Sequence, residues 1–234
     1  MQKTALCSEK IPAAAADSLS RRGCELVLLP PHPSLPEPVA CHADMITAYV
    51  DGTLFFDKIY SGAHPEIIRK IKDAGCRVVI TEESVGEKYP ADCLFNVAIG
   101  KSAALGHAAA SRDLIKRIAD SGREFVAVKQ GYAACSSIVA GSALITADEG
   151  IAKAAEGFFD VQSIVPGHVR LEPYEYGFIG GASGADGSAV YFVGDLDRHP
   201  DAQNIKDHLA ANSYKTVSLT DGELIDIGGI KFIN

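Results

Sequence analysis

Residues 36–57 have the sequence PEPVACHADMITAYVDGTLFFD, and this stretch decides the predicted fold of the chain. Residues 39–49 have the length and residue types of a β-strand, and Asp51-Gly52 is a strong signal for a two-residue hairpin turn. Residues 53–56 then form the returning strand. We therefore expect a β-hairpin whose side chains alternate between two faces.

This alternation places His42 and Asp44 on one face of the expected strand and Cys41 on the other. An imidazole and a carboxylate on the same face could transfer a proton or bind a cation. The same pair is also compatible with an ordinary solvent-facing strand. The sequence therefore marks this hairpin as a candidate site and leaves both interpretations open.

A helix followed by a strand recurs five times along the chain. Helices are predicted at residues 12–22, 64–74, 111–121, 148–156 and 200–211, and the strands that follow them at residues 25–29, 77–81, 124–128, 159–165 and 215–219. A hairpin-like pair follows each unit, at residues 36–57, 93–107, 132–146, 176–193 and 223–234. A repeat of about 45 residues predicts units that bury their apolar faces against their neighbours, and five of them could close into a ring.

Composition and charge exclude several classes of protein. The chain has 234 residues and a formal net charge of −8, which disfavours nucleic-acid and anionic-membrane surfaces and weakly favours cationic small ligands. No apolar run approaches the length of a membrane span, and the N-terminal sequence MQKTALCSEK has no apolar signal core. We therefore expect a soluble cytoplasmic protein with no membrane partner.

The cysteines and glycines do not indicate a cofactor. The six cysteines are scattered without CxxC pairs, so we expect buried thiols rather than a zinc site or disulfides. The segment GGASG at residues 180–184 lacks a phosphate-loop pattern and is interpreted as a place of close backbone packing. Asp195, Asp197 and His199 precede a predicted helix, where acidic residues are favourable without a metal. No metal and no cofactor are expected.

The five repeats, together with VACHADMITAYVDGTLFF in the first hairpin and GGIKFIN at the end, resemble the pentein or guanidine-modifying-enzyme fold. Within that superfamily the chain is most similar to an uncharacterised bacterial family. The resemblance implies one α/β domain over residues 1–234, a five-fold pseudo-symmetric α/β propeller with helices outside and short strands around a central axis. It also implies a site at that axis.

Of the three catalytic-site positions of the deiminases, one is matched in this sequence and two are not. Ala43-Asp44-Met45 lies where deiminases of this fold carry the carboxylate that holds the substrate guanidinium, so the resemblance implies that role for Asp44. The nucleophilic cysteine expected in the last unit is replaced by Lys231 and Phe232. The expected histidine base of the third unit is also missing from Cys135-Ser136-Ser137.

Aligning the five hairpins without gaps suggests which residues share the axis. His42 aligns with Cys135, and Asp44 aligns with residues of the other four hairpins, namely Asn96, Ser137, Ser183 and Lys231. A cysteine, a histidine and a carboxylate around one hollow are the components of covalent catalysis. We therefore expect Cys135 as nucleophile and His42 as base, although a buried thiol that only packs is an open alternative.

The remaining candidates surround this expected site. Asp44, Asn96, Ser137, Ser183 and Lys231 are expected to contact a substrate, while Lys231 could also form a salt bridge to Asp44. Lys129 and Gln130 follow the third predicted strand and are expected at the rim of the ring.

Two functions follow from this set of residues. The first is a hydrolase or transferase acting on a guanidine or amidine compound such as an arginine derivative. The second is a non-catalytic pentein that binds a small ligand or a protein partner, because the usual C-terminal cysteine is absent.

Overall fold

The computed structural model describes residues 3–233, which form short helices and strands in a mixed α/β arrangement. The α-helices in this range are α1 Ala13–Arg21, α2 Ala43–Ile46, α3 Lys58–Ala63, α4 Pro65–Asp73, α5 Arg112–Asp120, α6 Ala133–Ser136, α7 Glu149–Ala155 and α8 Ala202–Ala211. The strands are β1 Lys3–Ser8, β2 Cys24–Leu29, β3 Ala48–Val50, β4 Thr53–Asp57, β5 Arg77–Thr81, β6 Ala98–Ile99, β7 Ala103–Gly106, β8 Glu124–Ala127, β9 Ser137–Ala140, β10 Ala143–Thr146, β11 Asp160–Ser163, β12 Val169–Arg170, β13 Ser183–Ala185, β14 Ala189–Phe192, β15 Lys215–Ser218, β16 Leu224–Ile225 and β17 Lys231–Ile233.

Five of the sheets have three strands each and share one topology. Their strand orders are β17-β1-β2, β3-β4-β5, β6-β7-β8, β9-β10-β11 and β13-β14-β15, and a further pair joins β12 to β16. In each of the five, the central strand is antiparallel to the first strand and parallel to the third. Helical segments connect the central strand to the parallel one. The predicted helix-then-strand units are confirmed.

The two ends of the chain meet in one sheet. Strand β17 pairs antiparallel with β1, with Thr4 opposite Ile233 and Leu6 opposite Lys231. The prediction placed both strands of the last hairpin within residues 223–234 and assigned no strand near the N-terminus, and in this respect it was wrong. Asn234, the end of that predicted hairpin, lies outside the described residues. Pairing between chain ends leaves no local signal in the sequence.

The first hairpin also differs from its prediction. Residues 39–49 do not form one strand, because the helical turn α2 lies between a short 3-10 helix, Glu37–Val39, and β3. The N–H of Ile46 donates to the carbonyl of His42, 3.0 Å away. His42 and Asp44 therefore stand at the start of a helical turn, and strand alternation does not govern their directions. The third hairpin likewise begins with the helical turn α6, and residues 176–181 of the fourth are not a strand.

The peripheral helices follow local sequence rules. Helix α5 buries Leu114 and Ile118, which are four residues apart on one face, and its polar residues face outward. Gly122 follows it with a φ of +80°, a left-handed conformation that glycine adopts without strain. The Asp148 side chain caps α7 by accepting from the N–H of Ile151 at 2.8 Å.

The apolar residues pack into buried clusters between the sheets and helices. The largest cluster includes Phe55, Phe56 and Phe95, which are at most 2% exposed. All six cysteines are free and buried, which confirms the expected buried thiols. Within residues 3–233, no helix has the length and apolar character needed to cross a membrane.

Candidate functional site

A cavity of about 180 Å³ collects residues from all five three-stranded sheets or the segments that lead into them. Its polar side chains include Asp44, Ser137, Ser183 and Lys231, four of the seven residues that the hairpin alignment predicted to share the axis. The other three, Asn96, Cys135 and His42, are buried and do not line it, and His42 lines a separate cavity together with Asp226. Tyr49, Ile99, Val139 and Phe232 supply apolar walls. A small molecule with a polar end fits this lining.

Asp44 is a buried carboxylate without a hydrogen-bond donor. The residue is 3% exposed, and neither Oδ1 nor Oδ2 has a hydrogen-bond partner among residues 3–233. Its backbone N–H donates to the carbonyl of Gly228 at 2.9 Å, which fixes the start of α2 against the last unit. Burying an unpartnered carboxylate is costly, so this group is poised to accept hydrogen bonds from a ligand.

Lys231 lies in the same cavity but does not bond to Asp44. The side chain is partly exposed. Burial lowers the pKa of Lys231, while the nearby Asp44 and Cys135 oppose that shift. Because both Asp44 oxygens lack a partner in the described chain, the direct Asp44–Lys231 salt bridge that we had considered is not formed. The cavity thus offers separate acceptor and donor groups.

Cys135 is held by the amide of Asn96. Asn96 Oδ1 accepts from the N–H groups of Ala134 and Cys135 at 2.8 and 3.2 Å, and Nδ2 lies 2.9 Å from Cys135 Sγ. Burial raises the pKa of the Cys135 thiol well above its usual value. The charges of Asp44 and Asp226 and the contact of the thiol with Asp44 raise this pKa further, while Asn96 opposes the shift. The thiol is therefore protonated at neutral pH in this arrangement.

His42 lies beside Asp226, a residue that the sequence analysis missed. His42 Nδ1 is 3.7 Å from Asp226 Oδ1, and both side chains are buried. Asp226 accepts from the N–H groups of Phe178 and Gly228 at 2.8 and 2.9 Å. The N–H of Gly228 donates to the Asp226 side chain two residues earlier, which forms an Asx-type turn. Asp226 followed by Gly228-Gly229 could therefore have indicated this turn from the sequence.

The pKa of Asp226 is raised to about 6. Burial is the main cause, His42 and the two backbone N–H groups oppose it, and the Asp44 charge adds to it. Two buried carboxylates and an imidazole thus interact within one region. This is the kind of arrangement in which proton transfer is tuned.

Glycines allow the segments around this region to approach closely. A Cβ on Gly228, whose φ is +76°, would lie 2.2 Å from His42 Cβ. A Cβ on Gly180 would lie 2.2 Å from the carbonyl oxygen of Ala134. The interpretation of these glycines as points of close packing is confirmed.

The predicted rim residues lie elsewhere. Lys129 and Gln130 line a more open surface cavity together with Tyr89 and Asp148, and neither lines the Asp44 cavity. Gln130 donates to Asp148 at 3.2 Å and accepts from the N–H of Tyr132 at 3.1 Å. Within the part of the chain that the structure describes, no group of three or more histidine, cysteine or acidic residues is arranged to hold a metal ion.

Solved structures of guanidine-modifying enzymes share this fold. A dimethylarginine dimethylaminohydrolase mutant from Pseudomonas aeruginosa, complexed with citrulline, matches with a TM-score of 0.54 and 12% identity over 94% of this chain and 92% of the other. The amidinotransferase SxtG from Microseira wollei matches with a TM-score of 0.52 and 10% identity over 97% and 94%. The agmatine deiminase of C. jejuni gives 0.52 and 8% over 97% and 80%. These likenesses show the pentein fold, and they confirm the resemblance seen in the sequence.

The search of curated proteins found no significant match. A family model, described as "Family of unknown function (DUF6873)", matches residues 6–231, nearly the whole chain. The chain therefore belongs to the DUF6873 family and has the fold of the pentein superfamily.

Proposed function

We propose that this protein binds a small guanidino or amidino compound in the Asp44 cavity and modifies it as a hydrolase or transferase. The observation that carries the proposal is the Asp44 carboxylate, which is buried at a cavity wall with both oxygens unpartnered among residues 3–233. A planar cation with parallel N–H groups can donate to both oxygens of one carboxylate. The net charge of −8 also favours a cationic ligand.

We infer that the chain is one domain whose five units form a closed five-fold propeller around this cavity. Three observations support the inference: the five sheets share one topology, β17 pairs with β1, and all five units contribute to the cavity lining. A ring of this kind brings one hairpin from each unit to the axis. Ser137, Ser183 and Lys231 then surround a ligand bound to Asp44, with Asn96 behind them.

The proposed chemistry uses Cys135 as nucleophile and His42 as base. A cation bound to Asp44 offsets the carboxylate charge that raises the pKa of the thiol, so ligand binding promotes thiolate formation. His42 takes the thiol proton, the sulfur bonds to the central carbon of the guanidino group, and a C–N bond breaks. The departing amine takes the proton from His42. Water or an amine then attacks the same carbon and gives a proton to His42, the C–S bond breaks, and the departing Cys135 thiolate takes that proton back.

A second candidate function is ligand binding without catalysis. It is favoured because Cys135 and His42 are not hydrogen-bonded to each other within the described residues, and because the Cys135 pKa is strongly raised. Lys231 also stands in the last unit where the resemblance leads us to expect a cysteine. In this case the cavity binds the same cations and releases them unchanged.

The proposal predicts selective stabilisation by cationic ligands. Agmatine, arginine and methylarginines are titrated in a thermal-shift assay, with citrulline as a neutral comparison. A true ligand at a hundredfold excess over its Kd raises Tm by about 5–10 °C. Asp44→Asn weakens binding about tenfold or more, since it removes a charge-assisted pair. Asp120→Asn, an exposed site on α5, is the charge-matched control and leaves affinity unchanged.

The same experiment distinguishes the two candidate functions. If the protein is catalytic, a ureido or transferred product accumulates, and Cys135→Ala abolishes it while ligand-induced stabilisation persists. If binding is not followed by product formation, the non-catalytic function holds. Failure of every guanidino and amidino compound to bind, or equal binding by Asp44→Asn, refutes the proposal.

A further inference from the structure

A second cavity, of about 260 Å³, lies next to the segment that carries Cys135. Polar groups of its lining come from Gln130, Ser136, Asp148 and His199, and apolar walls come from Ile164, Pro166, Phe178 and Ile179. Among the described residues, this cavity and the Asp44 cavity share no lining residue. Its chemistry can therefore be considered separately from that of Asp44.

His199 lines this cavity and carries a hydrogen-bond donor without a partner among the described residues. The residue is 3% exposed, and its Nδ1 accepts from the backbone N–H of Asp201 at 3.0 Å. A neutral ring that accepts at Nδ1 carries its proton on Nε2. That Nε2 has no hydrogen-bond partner within the described part of the chain. Burial lowers the pKa of His199, which keeps the ring neutral at neutral pH.

Ser136 provides the second polar group. It is 4% exposed, and its hydroxyl, which can donate or accept, has no partner among residues 3–233. Two side chains that line one cavity, each more than nine-tenths buried, thus carry polar atoms without partners among the described residues. Burying such groups without partners is unfavourable, and a ligand that satisfies both gains binding energy.

The two cavities require ligands with opposite hydrogen-bonding groups. His199 Nε2–H needs a ligand with an acceptor, whereas guanidinium and amidinium groups have only donors. No lysine or arginine of the described chain lines this second cavity, while Asp148 does, so an anionic ligand is also disfavoured. A neutral carbonyl group with an adjacent N–H satisfies His199 and can donate to Ser136 or Asp148.

We propose that the Ser136–His199 cavity is a second binding site, which takes a small neutral ligand carrying a carboxamide or urea-type group. The carbonyl oxygen accepts from His199 Nε2–H, and the amide nitrogen donates toward Ser136. The apolar walls contact an aliphatic substituent of the ligand. This site is independent of the proposed chemistry at Asp44.

An isosteric pair of probes tests the proposal. Propionamide and propionamidine have nearly the same shape, but only the amide has a carbonyl acceptor. Each is titrated into ¹⁵N-histidine-labelled protein, and the imidazole ¹⁵N resonances are followed by NMR. Propionamide is expected to shift the His199 Nε2 resonance in a saturable manner, whereas propionamidine leaves that resonance in place.

Adjacent serines provide matched variants. Ser136 and Ser137 both have buried hydroxyls without partners among residues 3–233, but Ser136 lines the second cavity and Ser137 the Asp44 cavity. Ser136→Ala is expected to weaken propionamide binding about fivefold, the effect of one hydrogen bond. Ser137→Ala leaves propionamide binding unchanged. His199→Phe, which keeps an aromatic ring beside His168, abolishes propionamide binding, and for this variant binding is measured by isothermal titration calorimetry.

Several outcomes would overturn the proposal. These are an absence of saturable shifts with propionamide, equal responses to amide and amidine, or full propionamide binding by both Ser136→Ala and His199→Phe. Unchanged melting temperatures for Ser136→Ala and Ser137→Ala exclude misfolding as the cause of any loss. Because the readout is at His199, failure of amidine binding at Asp44 does not affect this test.

Discussion

Two buried carboxylates in this protein have opposite surroundings. Asp57 is 0% exposed and accepts from the N–H groups of Tyr60 and Val85 at 2.7 and 2.8 Å, while His32 Nε2 lies 3.1 Å away. Asp44 is 3% exposed, and its oxygens have no partner in the described residues. Burial alone does not distinguish the two groups. The hydrogen bonds do, and they separate a carboxylate that the fold satisfies from one that has no partner among the described residues.

The neighbouring histidines show the same contrast. His32 Nδ1 accepts from the N–H of Ser34 at 3.0 Å, so its Nε2 donates to Asp57 and both ring nitrogens are satisfied. The hydrogen bonds from His32, Tyr60 and Val85 lower the pKa of Asp57 and together outweigh burial, which is the largest single contribution and opposes them. At the other region His42 is 3.7 Å from Asp226, beyond hydrogen-bond distance, and the pKa of Asp226 is raised. The His32–Asp57 pair is thus hydrogen-bonded, and the His42–Asp226 pair is not.

The largest expected difference between Asp57 and Asp44 is in the stability that the protein loses when each is replaced by alanine. Asp57→Ala leaves His32 and two buried N–H groups without their acceptor, and we expect a loss of about 3–5 kcal/mol in the free energy of unfolding. Asp44→Ala removes a carboxylate that has no partner, and we expect a change within about 1 kcal/mol or a gain. Urea unfolding of both variants measures this. Losses of equal size would show that Asp44 has structural partners after all.

The stability contributed by Asp226 and that contributed by Asp57 should depend on pH in opposite directions. The pKa of Asp226 is about 6 when folded and its ordinary value is 3.8, so stability from this group is present below pH 4 and is lost as pH rises through 6. A shift of this size corresponds to roughly 3 kcal/mol between pH 4 and 7. The lowered pKa of Asp57 gives stability that is present above its unfolded pKa and lost as pH falls through its folded pKa.

Unfolding free energies of the wild type and Asp226→Asn, measured from pH 3 to 7, test this contrast. The variant should lack the decline of the wild type between pH 4 and 7 and should keep the acid decline caused by Asp57 and other carboxyls. Parallel curves over the whole range would mean that Asp226 titrates normally in the folded protein.

The smallest expected effect is on thiol reactivity. The Asp44 charge raises the pKa of Cys135, so Asp44→Asn should increase the thiolate fraction and speed alkylation of Cys135 roughly three- to tenfold at pH 8. Mass spectrometry of the Cys135 peptide after timed exposure to iodoacetamide measures the rate. Asp120→Asn, which makes the same charge change on the surface, should have no effect. An equal rate in Asp44→Asn would show that the carboxylate does not influence the thiol.

The sequence predicted the repeating units well because their signals are local. Helix α5 could be predicted from the spacing of Leu114 and Ile118 and from Gly122, and β5 has the predicted bounds of residues 77–81. Side-chain periodicity and glycine conformations act within a few residues, so they are readable in the chain itself. The pentein resemblance also rested on this order of units.

The detail of the site could not be predicted in the same way. Residues 39–49 had strand composition, yet α2 forms where the Asp44 N–H meets the carbonyl of Gly228. Helix α6 similarly begins where Asn96 Oδ1 accepts from Ala134 and Cys135. These hydrogen bonds join segments far apart in sequence, and they outweigh the weak local preferences of short turns.

The sequence by itself thus determined the number and order of the units and the approximate ends of their helices. Only the tertiary structure decided that β17 pairs with β1, that Asp226 joins His42, and that Asp44 lacks a partner while Asp57 has three. Helix and turn preferences act over a few neighbouring residues. The burial of a charge and the supply of its hydrogen-bond donors depend on segments that meet only in the folded chain.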